Sequence, residues 1–250
     1  MTEQIRIGTS GWVYKHWQGV FYPADLPQKQ WFAYFARYFD TVEINSTFYH
    51  LQNPSVFEHW RQQAPEGFLY SLKASRIITH NQRLEGCQDT LETFLSRTSL
   101  LGEALGPILF QLPPGFSLDF GRLESFLALL PEGFSYAMEF RNPSWLTEKI
   151  FALLKRFGVA LCIHDMPPLQ VPLCITAKFV YLRFHGDVNH AGDYPPETLA
   201  VWAERMQAWQ RQGLAVYAYF NNDAGGMAVR NAHTLKQLLR QGSWPERSNF

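Results

Sequence analysis

Short apolar runs of strand character alternate along this chain with longer stretches of helical period. Ile5–Gly11 has the spacing of a strand, and Pro27–Phe39 follows as a predicted helix carrying Trp31, Phe32, Phe35 and Phe39 at helical intervals. Thr41–Asn45 reads as the next strand, and Pro54–Ala64 as a helix with a proline in its first turn. Further strands are predicted at Phe68–Ser75, Pro107–Leu112, Ser135–Phe140, Val159–Asp165, Phe179–His185 and Ala215–Asn221. Helices are predicted at Thr90–Leu101, Leu118–Leu130, Ser144–Phe157, Glu197–Gln212 and Met227–Leu239. After the sixth strand, Pro167, Pro168 and Pro172 leave a segment too short and broken for a full helix. Strict strand–helix alternation implies a parallel sheet. About eight such units in 250 residues fit one TIM-type (β/α)8 barrel domain over residues 1–250, with a degraded sixth helix. A doubly wound open sheet is the competitor, but Gly8-Thr9-Ser10-Gly11-Trp12 lacks the glycine spacing of a nucleotide fingerprint.

Alternation within strands sorts the polar residues. In Thr41-Val42-Glu43-Ile44-Asn45, Val42 and Ile44 belong against helices, so Glu43 and Asn45 point into the barrel. The same reasoning turns Lys73, Gln111, Glu139, Arg141, Arg183 and His185 inward. Asp165 ends the sixth strand and Asn221-Asn222-Asp223 the eighth, where parity is ambiguous. All sit near the C-terminal strand ends, the face on which barrel enzymes build active sites. The bland alternative is a salt-bridge network that only fills the interior.

Composition narrows the ligand. Basic and acidic residues balance at 22 each, so no global field draws a polyanion, and no Lys/Arg run makes a local basic patch. Charged residues are only 18%, which makes their concentration at one end of the sheet informative. Cys87, Cys162 and Cys174 lack CxxC or zinc-finger spacing, and Cys162 reads as a small buried residue. With no signal pattern at Met1–Arg6 and no span-length apolar run, a soluble protein of the reducing cytoplasm is expected. The polar tail after Gln241 is expected to fray.

Several segments in order resemble the YecE-like family. They are Gly8-Thr9-Ser10-Gly11-Trp12-Val13-Tyr14 with Trp17 and Gly19, Phe21-Tyr22-Pro23, and Glu43-Ile44-Asn45-Ser46-Thr47-Phe48-Tyr49. Lys73 with Thr79-His80, Leu109-Phe110-Gln111-Leu112-Pro113, and Glu139-Phe140-Arg141 with Ser144-Trp145 follow. Asp165, Arg183-Phe184-His185-Gly186, and Phe220-Asn221-Asn222-Asp223 with Ala228, Asn231 and Ala232 complete the match. The resemblance implies a TIM-type barrel, in agreement with the element count, and implies no particular reaction.

Chemically, Glu43, Glu139 and Asp165 supply carboxylates from different strands, and His185 is expected to move protons near neutral pH. Lys73 or Arg183 suits an anion or developing negative charge. Expected catalytic residues are thus Glu43, Lys73, Glu139, Asp165 and His185, acting on a polar or anionic, sugar- or phosphate-containing small molecule. The expected binding residues are Ser10, Trp12, Tyr14, Asn45, Tyr49, His80, Gln111, Arg141, Arg183, Asn221 and Asn222. Trp12, Tyr14, Trp17, Tyr49 and Trp145 could stack on sugar faces; packing under the loops is the equal alternative. A Schiff base at Lys73 ranks lower, because adjacent acids should keep it an ammonium. A divalent metal on His185, Glu43, Glu139, Asp165 and His80 has only weak support, since no HxH or HExxH spacing is present. The other class is a non-catalytic ligand- or nucleic-acid-binding barrel, with Lys73, Arg76, Arg141 and Arg183 on phosphates. Gly225-Gly226 offers an anion loop or, equally, a turn capped by Asp223. His16, His50, His164 and His190 read as ordinary loop or packing residues.

Overall fold

In Leu161-Cys162-Ile163-His164, the large apolar chains alternate with smaller or polar ones, and the structure uses that period throughout. The computed structural model describes residues 4–240; the tail after Gln241 lies outside them. The strands are β1 (Ile5–Thr9), β2 (Thr41–Ile44), β3 (Leu69–Lys73), β4 (Leu105–Gln111) and β5 (Tyr136–Glu139). They continue as β6 (Ala160–Met166), β7 (Leu169–Gln170), β8 (Phe179–Phe184) and β9 (Ala215–Phe220). The helices are α1 (Trp31–Phe35), α2 (Ser46–Tyr49), α3 (Pro54–Gln63) and α4 (Gln88–Thr98). Then come α5 (Phe120–Ala128), α6 (Glu148–Phe157), α7 (Pro196–Arg211) and α8 (Met227–Arg240).

Eight strands run parallel in the order β1-β9-β8-β6-β5-β4-β3-β2, and β7 folds back antiparallel on β6. The two ends of this path meet where Ser10 bridges Glu43, giving a nearly closed TIM-like barrel. The seam is tight. A Cβ on Gly8 would lie 2.1 Å from the Thr41 carbonyl oxygen, so β1 can approach β2 only without a side chain there.

Two cores result. The larger lies between sheet and helices and takes Val42, Ile44, Leu72, Phe110, Met138, Leu161, Ile163, Leu182 and Phe220. Most of the aromatic residues, which make up 16% of the chain, pack here: Tyr22 stacks on Trp31 at 4.7 Å, and Phe184 on Phe220 at 4.6 Å. A smaller core inside the barrel holds Leu109, Ala137, Ala160, Cys162, Phe179, Tyr181 and Tyr219.

The predicted elements recur with local differences. The expected Pro27–Phe39 helix is a 3-10 turn (Gln28–Gln30) plus the short α1. It ends early because the amides of Arg37 and Tyr38 bond back to Tyr34 and Phe35, tightening the last turn. The helix expected from Ser144 begins at Glu148, where the Thr147 hydroxyl caps the amide of Ile150. Where a degraded sixth helix is expected there is no helix, and the β6–β7 return and coil take its place. Thr176 pins that coil, its Oγ1 taking the Leu161 amide and donating to Val159 O, each at 2.7 Å. Among the described residues no helix is long and apolar enough to cross a membrane.

Candidate active site

Inside the barrel, polar groups are stacked in layers. Lowest is a hydroxyl floor: Tyr219 OH lies 2.8 Å from Thr41 Oγ1 and 2.7 Å from Ser71 Oγ. Tyr181 OH rises from this level to donate to Glu43 Oε2 at 2.7 Å. Above it sits Arg183, only 1% exposed, which binds both interior carboxylates. Its Nη2 and Nε reach Glu43 Oε1 at 2.8 and 3.2 Å, and its Nη1 reaches Glu139 Oε2 at 2.7 Å. Ser10 Oγ adds a 2.7 Å bond to Glu43 Oε1, and Arg141 Nε binds Glu139 Oε1. Burial alone would weaken the Arg183 charge, but Glu43 and Glu139 hold it on the guanidinium. Burial would likewise raise Glu139; Arg183 and then Arg141 hold it well below the usual carboxylate range.

Two histidines complete the wall. The register pairs His164 with Arg183 across β6 and β8, so both face inward, and Asp165 faces the helices with Phe184. His164 Nε2 lies 3.0 Å from the Phe140 carbonyl and must donate, which leaves Nδ1 as an unprotonated, buried atom without a partner. His185 Nε2 lies 3.0 Å from Arg141 Nη2, and the Asn221 amide meets its Nδ1 at 3.1 Å. A guanidinium only donates, so Nε2 accepts; a neutral ring then carries its proton on Nδ1, and the Asn221 amide, placed with its nitrogen toward that atom, pairs with it once flipped to present its oxygen. Burial, reinforced by Arg183, pulls His185 down to about 2. That direction, together with the Arg141 donor at Nε2, favours a neutral ring and weighs against the expectation that His185 exchanges protons near neutral pH.

Lys73 stands apart from this network. It pairs in register with inward-facing Leu109. Among the described residues its ammonium has no hydrogen bond or ion pair; it lies 4.1 Å over the Phe48 ring. Thr47 Oγ1 donates to the Lys73 carbonyl at 2.7 Å and so docks α2 onto the end of β3, which brings Phe48 beneath the amine. His80 packs edge-on against the same ring at 4.9 Å, from a π turn over Ile77–Asn81. Burial, then Arg183, lowers the Lys73 amine to about 8 against the opposing pull of Glu139 and Glu43. Neighbouring acids do not fix it as an ammonium, because both are already occupied by arginines.

The structure thus gathers Ser10, Glu43, Lys73, Gln111, Glu139, Arg141, Arg183, His185 and Asn221 around one mouth, with Gln111 beside Glu139 in register. Tyr14 joins it, donating to the Ser10 carbonyl at 2.5 Å, and exposed Tyr49 stands at its rim on α2. The Asn45 and Gln111 amide oxygens are buried without partners among the described residues. Asp165 is not in this group: it bonds Tyr194 on the helix side, where burial raises its carboxyl. Trp12 packs on Phe32, Trp60 and Tyr70, while Trp17 and Trp145 are fully buried, so these indoles are packing rings. Asn222 turns away to tie Gly192 O and Asn231 Oδ1, at 2.7 and 2.8 Å. Asp223 caps nothing through its side chain; its carbonyl takes the Trp17 indole N–H. Among the described residues no three His, Cys, Asp or Glu side chains form a metal-binding group, so the mixed ligand set weighed from sequence does not assemble. His164 was the residue missed. Its signal lay in Leu161 and Ile163, whose outward packing fixes His164, not Asp165, as inward.

A TIM-like barrel with a buried arginine–carboxylate network at its C-terminal mouth is the class these features define. The chain belongs to the family described as "Protein of unknown function DUF72", whose profile matches residues 6–248. It is similar to UPF0759 protein YecE of Escherichia coli K12, 28% identical over 233 residues that cover 83% of this chain and 85% of that protein. UPF0759 protein YunF of Bacillus subtilis 168 is 28% identical over 270 residues, covering 94% of each. The crystal structure of a DUF72 family protein from Thermotoga maritima MSB8 superposes with a TM-score of 0.82 at 27% identity, covering 94% of this chain and 99% of that one. A DUF72 family structure from Enterococcus faecalis V583 gives 0.80 at 20% identity, covering 98% and 100%, a likeness of fold.

Proposed function

We propose that the protein is an enzyme acting on a small polar, anionic molecule at the C-terminal barrel mouth, with Lys73 as the group that exchanges a proton. The observation that carries this reading is the unpaired Lys73 amine. Glu43 and Glu139 are matched by Arg183 and Arg141, which leaves Lys73 as surplus positive charge. A half-buried cation without an ion-pair partner among the described residues costs stability, and such costs gather where ligands bind. Its amine, lowered to about 8, is the mouth's best match to a general acid–base near neutral pH. Glu139 is held ionised and His185 neutral, so they act as fixed electrostatic walls that orient a substrate. Both carboxylates bind the same guanidinium, an arrangement that does not favour the two-carboxylate route of glycoside hydrolysis.

The test is a thermal-shift panel of inorganic phosphate, citrate, ribose 5-phosphate, pyruvate and glyoxylate on the wild type and on Lys73→Met. At least one anion is expected to raise the wild-type Tm, with the shift abolished in the variant. No shift with any anion, or equal shifts in both proteins, removes the reading.

A further inference from the structure

The geometry points to Lys73 as an imine-forming amine whose substrate is a small aldehyde or ketone that also carries a negative charge. This rests on the anionic-ligand reading above and goes further by naming the bond that forms.

Four features of the mouth support it. The amine is enclosed, with the Phe48 ring 4.1 Å beneath it and no carboxylate bound to it. Arg183 lies close enough to disfavour a second cation, so the neutral, nucleophilic form is accessible at the end of β3. Arg183 and Arg141 are paired with Glu43 and Glu139, so the positive charge in surplus at the mouth is that of Lys73. Finally, Gln111 Oε1 and His164 Nδ1 are buried without partners. His164 is 2% exposed, and its register partner Arg183 places it on the inner wall. Such acceptors call for donors, which a hydroxylated substrate reaching across the mouth provides.

The step balances without any added reagent. The ammonium first releases one proton; the Lys73 lone pair then attacks the carbonyl carbon, a C–N bond forms, the C=O π pair moves to oxygen, and a proton passes from the now cationic nitrogen to that oxygen to give the neutral carbinolamine. The carbinolamine oxygen takes the proton first released by the ammonium, the C–O bond breaks, and water leaves as the nitrogen pair forms C=N. Overall an ammonium and a carbonyl give a protonated imine and water, with the positive charge conserved. That charge stays on nitrogen, over the negative face of the Phe48 ring.

Borohydride trapping tests the inference. The protein is incubated with pyruvate, glyoxylate or glyceraldehyde 3-phosphate, reduced, and mapped by peptide mass spectrometry, with exposed Lys29 as the internal reference. With at least one probe, Lys73 is expected to be modified at least about tenfold faster than Lys29 near pH 8, as its lowered amine requires. Labelling at that position is expected to vanish in both Lys73→Arg and Lys73→Met. Labelling of Lys73 no faster than Lys29, or none with all probes, overturns imine formation. Thermal shifts on the same samples separate the two ideas. A Lys73-dependent shift without an adduct keeps the anion site and ends the imine, and neither shift nor adduct ends both.

Discussion

Arg183 meets Glu43 through two nitrogens at once, Nη2 at 2.8 Å and Nε at 3.2 Å, both on the same carboxylate oxygen. Neither residue touches solvent, so removing one strands the other's charge in the barrel. Glu43→Ala is expected to destabilise the fold by about 3–5 kcal/mol. Glu43→Gln, whose single amide oxygen can still accept from Ser10 or from Tyr181, should lose less. Urea unfolding of the two variants measures this; a loss under about 1 kcal/mol for Glu43→Ala would show that water enters and solvates Arg183.

Lys73 should behave in the opposite way. Its folded amine titrates at about 8, against about 10.5 in an unfolded chain. Between those values the unfolded chain holds the proton more tightly, so Lys73 adds stability as pH rises and costs stability at neutral pH. Lys73→Met is therefore expected to raise stability near pH 7 by about 1–3 kcal/mol, with the gain disappearing above about pH 10.5, while ligand response is lost. A destabilised variant at neutral pH would mean that the Phe48 contact outweighs the burial cost.

Acid should weaken the protein in stages. His185 titrates at about 2 when folded, so below about pH 6.5 the unfolded chain binds a proton that the folded chain refuses. Stability falls accordingly as pH drops, and His164, also lowered by burial, adds to the slope. Glu139 acts lower down: its arginine-held carboxylate stabilises the fold above the ordinary carboxylate range, and that stability is lost as pH falls through it. Unfolding midpoints between about pH 7 and pH 5 should show His185→Gln flattening the dependence by up to about 1 kcal/mol per pH unit. An unchanged slope would mean that His185 is protonated in the folded protein.

The seam between β1 and β2 has its own signature. Gly8→Ala puts a methyl group 2.1 Å from the Thr41 carbonyl oxygen, and backbone on both sides must move. The expected cost is about 3 kcal/mol or more, because rigid strands cannot yield as a side chain would. Circular dichroism melts would report it as a lowered Tm. A melt matching the wild type would imply that the seam opens freely.

Strand parity made most of the mouth legible in advance. Val42 and Ile44 pointed Glu43 inward, and Val180, Leu182 and Phe184 did the same for Arg183, since apolar bulk has nowhere to go but the helix layer. Asp165 lies inside β6, where the outward packing of Leu161 and Ile163 turns it to the helix side, whereas Asn222 lies just past the end of β9, where polarity alone does not choose a side. Trp12 looked like a stacking platform, yet a ring beside a barrel rim packs as readily as it binds. The lowered Lys73 amine was illegible for a different reason. Composition placed acids near it but could not say that arginines had already claimed them.

The coil that stands in for the sixth helix bears on how such a barrel can change over time. Because Thr176 anchors the return directly to the start of β6, residues between β7 and β8 can be gained or lost without displacing a packed helix. The exposed part of that stretch is thus free to vary over time beside a charged network that it does not touch.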